Sequence, residues 1–302
     1  MTQTGSGIAA VIAACVIWGL SPLYYRALDA VPPLEILAHR TFWSLVFFAT
    51  LLGVQGRLGR LRAALSDRRS ALIILAAALI ISINWFLFIW AIHNARATEA
   101  SLGYYIFPLV AVALGRIAFG ERLDRLQIAA VALAVVAVSV LAVRQGALPW
   151  VSLVLATSFG IYGLLKKRLS VGAVTSVTGE VLLILPISAG YLLWLGLTGQ
   201  GAFGADLGLA LLLIGSGPVT ALPLILFSHA SQRVAYGTIG LLQYVNPTLQ
   251  FLIATVIFRE PFGTAQALAF GLIWAALALY SAALLRQERA SKAASISVQN
   301  VT

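Results

Sequence analysis

Three ionisable side chains lie close together in an otherwise apolar part of the chain, at Glu35, His39 and Arg40. Glu35 and His39 are four residues apart, so they share one face of a helix, with Arg40 beside them. Such a group could bind a polar solute or pass a proton, because histidine titrates near neutral pH. The alternative is that Glu35 and Arg40 lie near a surface, where they only pair or extend to solvent. Both interpretations remain open on the sequence alone.

Two prolines, Pro108 and Pro247, stand inside long apolar segments. A proline in a helix interior frees the carbonyl four residues earlier, which here belongs to Tyr104 or to Gln243. In lipid such a carbonyl must find a partner in protein, water or ligand. We predict that a belt of phenols and amides around the two kinks faces a central cavity, namely Tyr104, Tyr105, Gln243, Tyr244 and Asn246. The alternative is a packing kink that neighbouring hydroxyl groups satisfy.

Further candidates lie in two other apolar segments. Asn84 could line a solute path or only bridge two helices. Trp85 and Trp90 in the same segment could line a cavity or pack in a core. Glu180 could place a second carboxylate on the path, or cap the start of a helix after Thr178.

The elements that position these residues must lie in lipid. Of the 302 residues 61% are hydrophobic and only 10% are charged, and the mean hydropathy is +0.96. Soluble domains carry about 25% charged residues. The net charge of +10 is typical of basic cytoplasmic loops and does not indicate a nucleic-acid partner. With Cys15 as the one cysteine, a disulfide or a cysteine-based metal site within the chain is excluded, and we expect no cofactor or metal.

Apolar segments of about 20 residues, long enough to cross a hydrocarbon core, recur ten times along the chain. The sequence therefore predicts an all-α integral membrane protein with ten transmembrane helices, and a polar tail over 286–302 that is cytoplasmic and disordered. The predicted spans are 7–28, 34–54, 71–93, 99–119, 126–143, 148–165, 176–197, 207–229, 236–258 and 263–285.

The basic residues indicate how these spans are oriented. If the N-terminus is cytoplasmic and the spans alternate, 15 of the 20 Lys and Arg residues fall in cytoplasmic segments. Short cytoplasmic loops concentrate Lys and Arg, so both termini are predicted to lie inside the cell.

A shift of 139 residues aligns the two halves of the chain without a gap. Because each half holds five spans, an odd number, the second copy must enter the membrane from the opposite side. The two inverted repeats are predicted over 7–144 and 148–285. Glu180 then takes roughly the place of Glu35, and Glu121 and Glu260 are predicted to fix loops. The matched pairs include Leu102 and Leu241, Tyr105 and Tyr244, Pro108 and Pro247, Phe119 and Phe258, Glu121 and Glu260, and Gln127 and Gln266.

In the second copy the basic loop residues of the first are replaced, since Arg116, Arg122 and Arg125 align with Thr255, Pro261 and Thr264. This is the change expected of a loop that has moved from the cytoplasm to the exterior. Inverted repeats are a common plan of secondary transporters, which bind solute near the midplane between the repeats.

Several motifs resemble the EamA family of the drug/metabolite transporter superfamily and, between the second and fourth spans, its RarD branch. The resemblance covers roughly residues 7–285. It implies a ten-helix carrier in a bacterial plasma membrane. RarD-like proteins are commonly labelled chloramphenicol permeases, and this label is the one indication of a substrate that the resemblance gives. The motifs are Trp18-Gly19, Glu35 to Arg40, Asn84-Trp85, Phe88 to Ala91, Glu99 to Tyr104, Gly120 to Arg122, Gln243-Tyr244 and Pro247-Thr248.

Two other classes of protein are alternatives to a carrier. An enzyme would need a zinc-binding HExxH helix, a GxSxG elbow or a cluster of aspartates for Mg²⁺, and the sequence has none of these. The lysines do not follow a phosphate-binding loop pattern either, which excludes ATP-driven transport by this chain alone. A channel or facilitator would share the fold, so the sequence does not separate it from a carrier. The expected partners are a small organic solute, the bilayer and, if transport is coupled, protons. The substrate, the direction of flux and the oligomeric state are not indicated.

Overall fold

The computed structural model describes residues 3–120, 123–231, 233–234 and 236–299, and within them all regular secondary structure is helical. Glu121 and Arg122 lie outside the described residues. The helices are α1 (Gln3–Arg26), α2 (Pro33–Val54), α3 (Leu58–Ser66), α4 (Arg68–His93), α5 (Ala97–Phe119), α6 (Arg125–Gln145), α7 (Trp150–Lys167), α8 (Ala173–Thr198), α9 (Leu207–Ser231), α10 (Tyr236–Leu242), α11 (Val245–Leu252), a π-helical turn (Ile253–Ile257) and α12 (Thr264–Gln299).

Nine helical stretches in the described part of the chain are long and apolar enough to cross a membrane, and they match nine of the ten predicted spans. The remaining predicted span corresponds to α7, which has 18 residues and ends in Lys166 and Lys167. The chain is therefore an all-helical, multi-pass membrane protein, while the count of ten spans stays a prediction.

Helix α3 was not predicted. Its nine residues are too few to cross the bilayer, and it turns Leu61 and Ala64 inward while it packs on α4 and α8. The next helix begins at once, because the carboxylate of Asp67 accepts a hydrogen bond from the Ser70 backbone N–H at 2.9 Å. Hydrogen bonds from Ser70 also lower the pKa of Asp67.

The predicted span 236–258 is broken and not simply kinked. Helix α10 ends at Leu242 and α11 begins at Val245, so the break falls on Gln243 and Tyr244. Pro247 lies in the first turn of α11, where its missing N–H costs little. By contrast, Pro108 lies inside α5, which continues to Phe119.

The C-terminal segment also differs from the prediction. Helix α12 continues to Gln299, so the prediction of a disordered tail is wrong for residues 286–299. Residues 300–302 lie outside the described part of the chain.

The long helices pack around the middle of the molecule in a regular set of pairs. In one half of the set, α7 contacts both α4 and α5. In the other half, α1 contacts both α9 and α11. Helix α2 contacts α9 as α8 contacts α4. Three further pairs are α2 with α8, α5 with α11 and α6 with α12. Buried aliphatic and aromatic side chains of α1, α2, α4, α5 and α7 meet in one cluster.

The crossing of α2 and α9 depends on a glycine. A Cβ atom built on Gly217 would lie 2.6 Å from the backbone carbonyl group of Trp43. Small residues allow membrane helices to approach this closely, which increases their van der Waals contact. Gly217 therefore sets the distance between α2 and α9.

Glu260 fixes the start of α5 from a distant loop. Its carboxylate accepts hydrogen bonds from the backbone N–H groups of Ala97 at 2.6 Å and Thr98 at 2.7 Å, and from the Thr98 hydroxyl at 2.7 Å. The first N–H groups of a helix have no partner within the helix, so an external carboxylate is a favourable cap. This contact agrees with the loop-fixing role predicted for Glu260.

Candidate functional site

Arg40 lies at the centre of a buried cluster between α1, α2 and α4. Its side chain is only 7% exposed. Nη1 donates a hydrogen bond to the Tyr25 hydroxyl at 3.0 Å, and the guanidinium carbon lies 4.0 Å from the centre of a Trp85 ring. The Nε atom is buried without a hydrogen-bond partner among the described residues. In that part of the chain no carboxylate lies within ion-pair distance of Arg40.

The cluster extends to α5 and α7 through Asn84. Its Nδ2 donates to the Leu155 carbonyl at 3.0 Å and to the Ser158 hydroxyl at 2.9 Å. Its Oδ1 accepts a hydrogen bond from the Tyr104 hydroxyl at 3.2 Å. Asn84 thus bridges α4, α5 and α7, which agrees with the interpretation that this residue connects helices. The bridge also fixes the phenol of Tyr104 against α4.

Aromatic rings complete this group. The Phe88 ring lies edge-on to both Tyr25 and Tyr104, with centroids 5.9 and 5.7 Å apart, and Tyr104 also contacts the Phe159 ring of α7. We call this set of residues the Arg40 cluster: Tyr25, Arg40, Asn84, Trp85, Phe88 and Tyr104.

Glu35 and His39 do not face Arg40. Glu35 Oε1 accepts a hydrogen bond from the Ala202 backbone N–H at 2.7 Å and lies 3.9 Å from His39 Nε2. The His39 ring stacks on Phe203, with the centroids 5.0 Å apart. The pair therefore contacts the loop between α8 and α9.

This geometry also corrects the surface alternative. Glu35 and Arg40 are 1% and 7% exposed, and they do not form an ion pair with each other. Neither side chain extends to solvent. Glu35 Oε2 and His39 Nδ1 are buried without hydrogen-bond partners in the described part of the chain, so this pair remains a candidate for proton transfer.

Glu180 belongs to a second buried polar group. Lys166 Nζ lies 2.6 Å from Glu180 Oε1, and the hydroxyls of Tyr162 and Ser176 each donate to the carboxylate at 3.0 Å. Helix α8 begins at Ala173, seven residues before Glu180, so the interpretation of Glu180 as a helix cap is wrong. Lys166 and Tyr162 were not among the sequence candidates.

The belt predicted around the two prolines does not form one surface. Tyr104 belongs to the Arg40 cluster, whereas Tyr105 shares a hydrogen bond with Thr248 at 2.7 Å and packs on α12. Tyr244 lines the same groove between Tyr105 and α12.

The remaining candidates also point elsewhere. The Asn246 side chain accepts a hydrogen bond from Gln250 at 2.9 Å on the side of α1, and Gln243 is half-buried in the break before α11. The Trp90 ring lies near Arg96 and near the ring of Trp150, tilted by 47° to it, at the end of α4. Among the described residues, no three His, Cys, Asp or Glu side chains lie close enough to hold a metal ion.

Helices long and apolar enough to cross a membrane many times define a multi-pass integral membrane protein. The family model of the EamA-like transporter family matches residues 5–143. The chain belongs to the EamA family, and through it to the drug/metabolite transporter superfamily.

Relatives match over nearly the full chain. The protein RarD of Streptomyces exfoliatus is 45% identical over 92% of this chain and 88% of its own length. The uncharacterized transporter YojE of Bacillus subtilis is 42% identical over 96% of this chain and 98% of its own length. The chloramphenicol-sensitive protein RarD of Pseudomonas aeruginosa is 35% identical over 95% of this chain and 98% of its own length.

A crystal structure of another protein, 20% identical, matches with a TM-score of 0.61 over 91% of this chain and 96% of that one. At this identity the match shows a shared fold and nothing more.

Proposed function

We propose that this protein is a secondary carrier that moves a small organic solute across the bacterial plasma membrane by alternating access. In this proposal ten spans form two inverted five-helix repeats, and both termini are cytoplasmic. The observation that carries the proposal is the buried Arg40 cluster, to which helices of the first half contribute and which contacts α7 of the second half through Asn84 and Tyr104.

The packing pairs support the inverted repeats. In the two proposed repeats α1 corresponds to α7, α2 to α8, α4 to α9, α5 to α11 and α6 to α12. When each helix of a contacting pair described above is replaced by its counterpart, the result is again a contacting pair. Such a pattern is expected of two copies of one bundle related by a pseudo-two-fold axis. Five spans per copy then make the two copies antiparallel in the membrane.

Local contacts support the same relation. Gln127 accepts a hydrogen bond from the Asp124 backbone N–H at 3.0 Å, and the aligned Gln266 accepts one from Gly263 at 3.1 Å. The segment that the family model matches, 5–143, nearly coincides with the first proposed repeat, 7–144.

Buried ionisable groups support transport over a purely structural bundle. Charged side chains within spans are costly and usually mark solute or ion pathways. This chain buries Arg40 without a carboxylate partner among the described residues, and it buries Glu180 against Lys166 in a separate group. A bundle without a transported solute would gain nothing from an unpaired cation in its interior.

Counterflow in proteoliposomes tests the carrier proposal. Vesicles loaded with one unlabelled organic solute should take up the labelled solute faster than empty vesicles, and uptake should saturate. We would test a panel of organic acids, amides and amines, with chloramphenicol included because one relative carries it in its name. Linear, non-saturating uptake without counterflow for every solute that crosses would favour the channel or facilitator and refute the carrier.

An imposed pH gradient, added to the same assay, tests proton coupling through Glu35 and His39. If these residues carry the proton, Glu35→Gln with His39→Ala should abolish gradient-driven accumulation and leave the protein inserted. Normal accumulation by the double variant would remove the pair from the mechanism.

Cysteine labelling tests the inverted topology. Arg125 and Thr264 are exposed and aligned by the 139-residue shift. In a Cys15→Ser background, a membrane-impermeant maleimide should label Arg125→Cys and Thr264→Cys from opposite sides of the membrane. Labelling of both from one side would overturn the repeat model.

A further inference from the structure

We infer that the transported solute is an organic acid whose carboxylate is bound by Arg40. This inference rests on the proposed function and adds the chemical class of the solute. It starts from the charge of the Arg40 cluster, in which the guanidinium is the one ionised side chain and the other five members are neutral. Arginine does not lose its proton in proteins, so its charge must be balanced by its surroundings.

The buried carboxylates of the described residues, Glu35, Glu180 and Glu260, do not supply that balance. Glu35 lies five residues earlier on the same helix, about 140° around its axis, and is bound to the Ala202 N–H. Glu180 is held by Lys166 at 2.6 Å, and Glu260 is held by the first turn of α5. Each of these carboxylates already has another partner.

The donors of Arg40 fit an acid better than a neutral polar group. One nitrogen is engaged by the Tyr25 hydroxyl, and the Trp85 ring lies 4.0 Å from the guanidinium carbon. The buried Nε has no hydrogen-bond partner in the described part of the chain. A guanidinium with a free Nε can form two parallel hydrogen bonds to a carboxylate, and these are stronger than bonds to an uncharged acceptor.

The rest of the cluster indicates the body of the solute. Trp85 and Tyr104 are half-buried, and the Phe88 ring lies edge-on to the rings of both Tyr25 and Tyr104. Such a wall favours an apolar or aromatic group attached to the carboxylate. The phenol of Tyr104 and the amide of Asn84 add neutral hydrogen-bonding groups at its edge.

Matched acids and amides test the inference on the purified full-length protein in detergent at neutral pH. Thermal unfolding is followed by tryptophan fluorescence with acetate, benzoate and phenylacetate, each against its neutral amide, and with inorganic phosphate. At least one organic acid should raise the midpoint temperature, with an apparent affinity at least about tenfold above that of its amide. The inference is overturned if no acid shifts the midpoint, if each amide acts as its acid does, or if phosphate is the one anion that acts.

Two arginine variants separate recognition from folding. Arg40→Gln should remove the acid-dependent shift, and Arg40→Lys should retain part of it, because lysine keeps the charge without the two-pronged geometry. Arg96 is the matched control, since it also lies near tryptophan rings but is paired with Glu99. Arg96→Gln should leave the shift unchanged, and an acid-dependent shift that survives in Arg40→Gln would refute the assignment.

The two proposals fail separately. An Arg40-dependent acid shift without counterflow of that acid would leave the anion site standing and refute the carrier. Saturable counterflow of neutral or basic solutes, with no acid bound or transported, would leave the carrier standing and refute the anion site.

Discussion

The contact between Glu260 and the start of α5 gives the sharpest test of the fold. Glu260 is 8% exposed and accepts three hydrogen bonds of 2.6 to 2.7 Å from Ala97 and Thr98. A hydrogen bond to a charged group contributes about 1.5–3 kcal/mol. In Glu260→Gln one oxygen keeps a neutral bond of about 1 kcal/mol, while the new amide group faces donors that it cannot accept from. We expect the free energy of unfolding to fall by about 3 kcal/mol.

Glu99→Gln is the matched control, because Glu99 lies in the first turn of the same helix. Its carboxylate pairs with Arg96 at 2.6 Å, but the two side chains are 29% and 26% exposed. Exposed pairs of this kind contribute about 0–1 kcal/mol. Unfolding by SDS titration in mixed micelles, followed by tryptophan fluorescence, gives both values. Equal losses for the two variants, or a loss below 1 kcal/mol for Glu260→Gln, would refute the capping argument.

Three further substitutions are measured by the same titration. Lys166→Met should lower the free energy of unfolding by about 3–5 kcal/mol, because it leaves Glu180 buried without its cation. Adding Glu180→Gln should restore most of this stability. An unchanged stability of Lys166→Met would show that the pair is not buried. Gly217→Val should lower the free energy of unfolding by more than about 2 kcal/mol, because the valine side chain meets the Trp43 backbone. Gly190 has open space around it, so Gly190→Ala should change the free energy of unfolding by less than about 1 kcal/mol. Similar effects of the two variants would contradict the close approach of α2 and α9. Asn84→Leu should cost about 1–2 kcal/mol through its lost bridges, and a gain in stability would refute them.

The spans were predictable because the bilayer imposes a length and an apolar composition on every helix that crosses it. The same rule could not find α3, whose nine residues follow a different pattern, with Leu61 and Ala64 packed inward and basic residues outward. It also could not find the break at Gln243 and Tyr244. The break lies within a weakly polar part of an apolar segment, and only tertiary packing decides where its hydrogen bonds go.

The site was predictable in its residue types but not in its grouping. Helix periodicity places Arg40 about 100° from His39, yet it does not tell which side chains face each of them. Those partners are distant in sequence, as Ala202 is for Glu35 and Ser158 is for Asn84. The pair of Lys166 and Glu180 could have been found, because α7 and α8 are joined by a short loop that brings the end of one beside the start of the other.

The buried charges at Glu180, Glu260 and Arg40 are of two kinds, and the difference bears on transport. Glu180 and Glu260 are each matched by fixed partners, so their energy does not depend on a solute. Arg40 is held by a ring face and one phenol, which stabilise a cation without occupying all of its donors. A carrier must bind its solute and then release it, and a recognition group that is completely neutralised by the protein would bind weakly or not at all. In our proposal the incomplete neutralisation of Arg40 gives the solute its affinity, while the aromatic support of the cation limits that affinity enough for release.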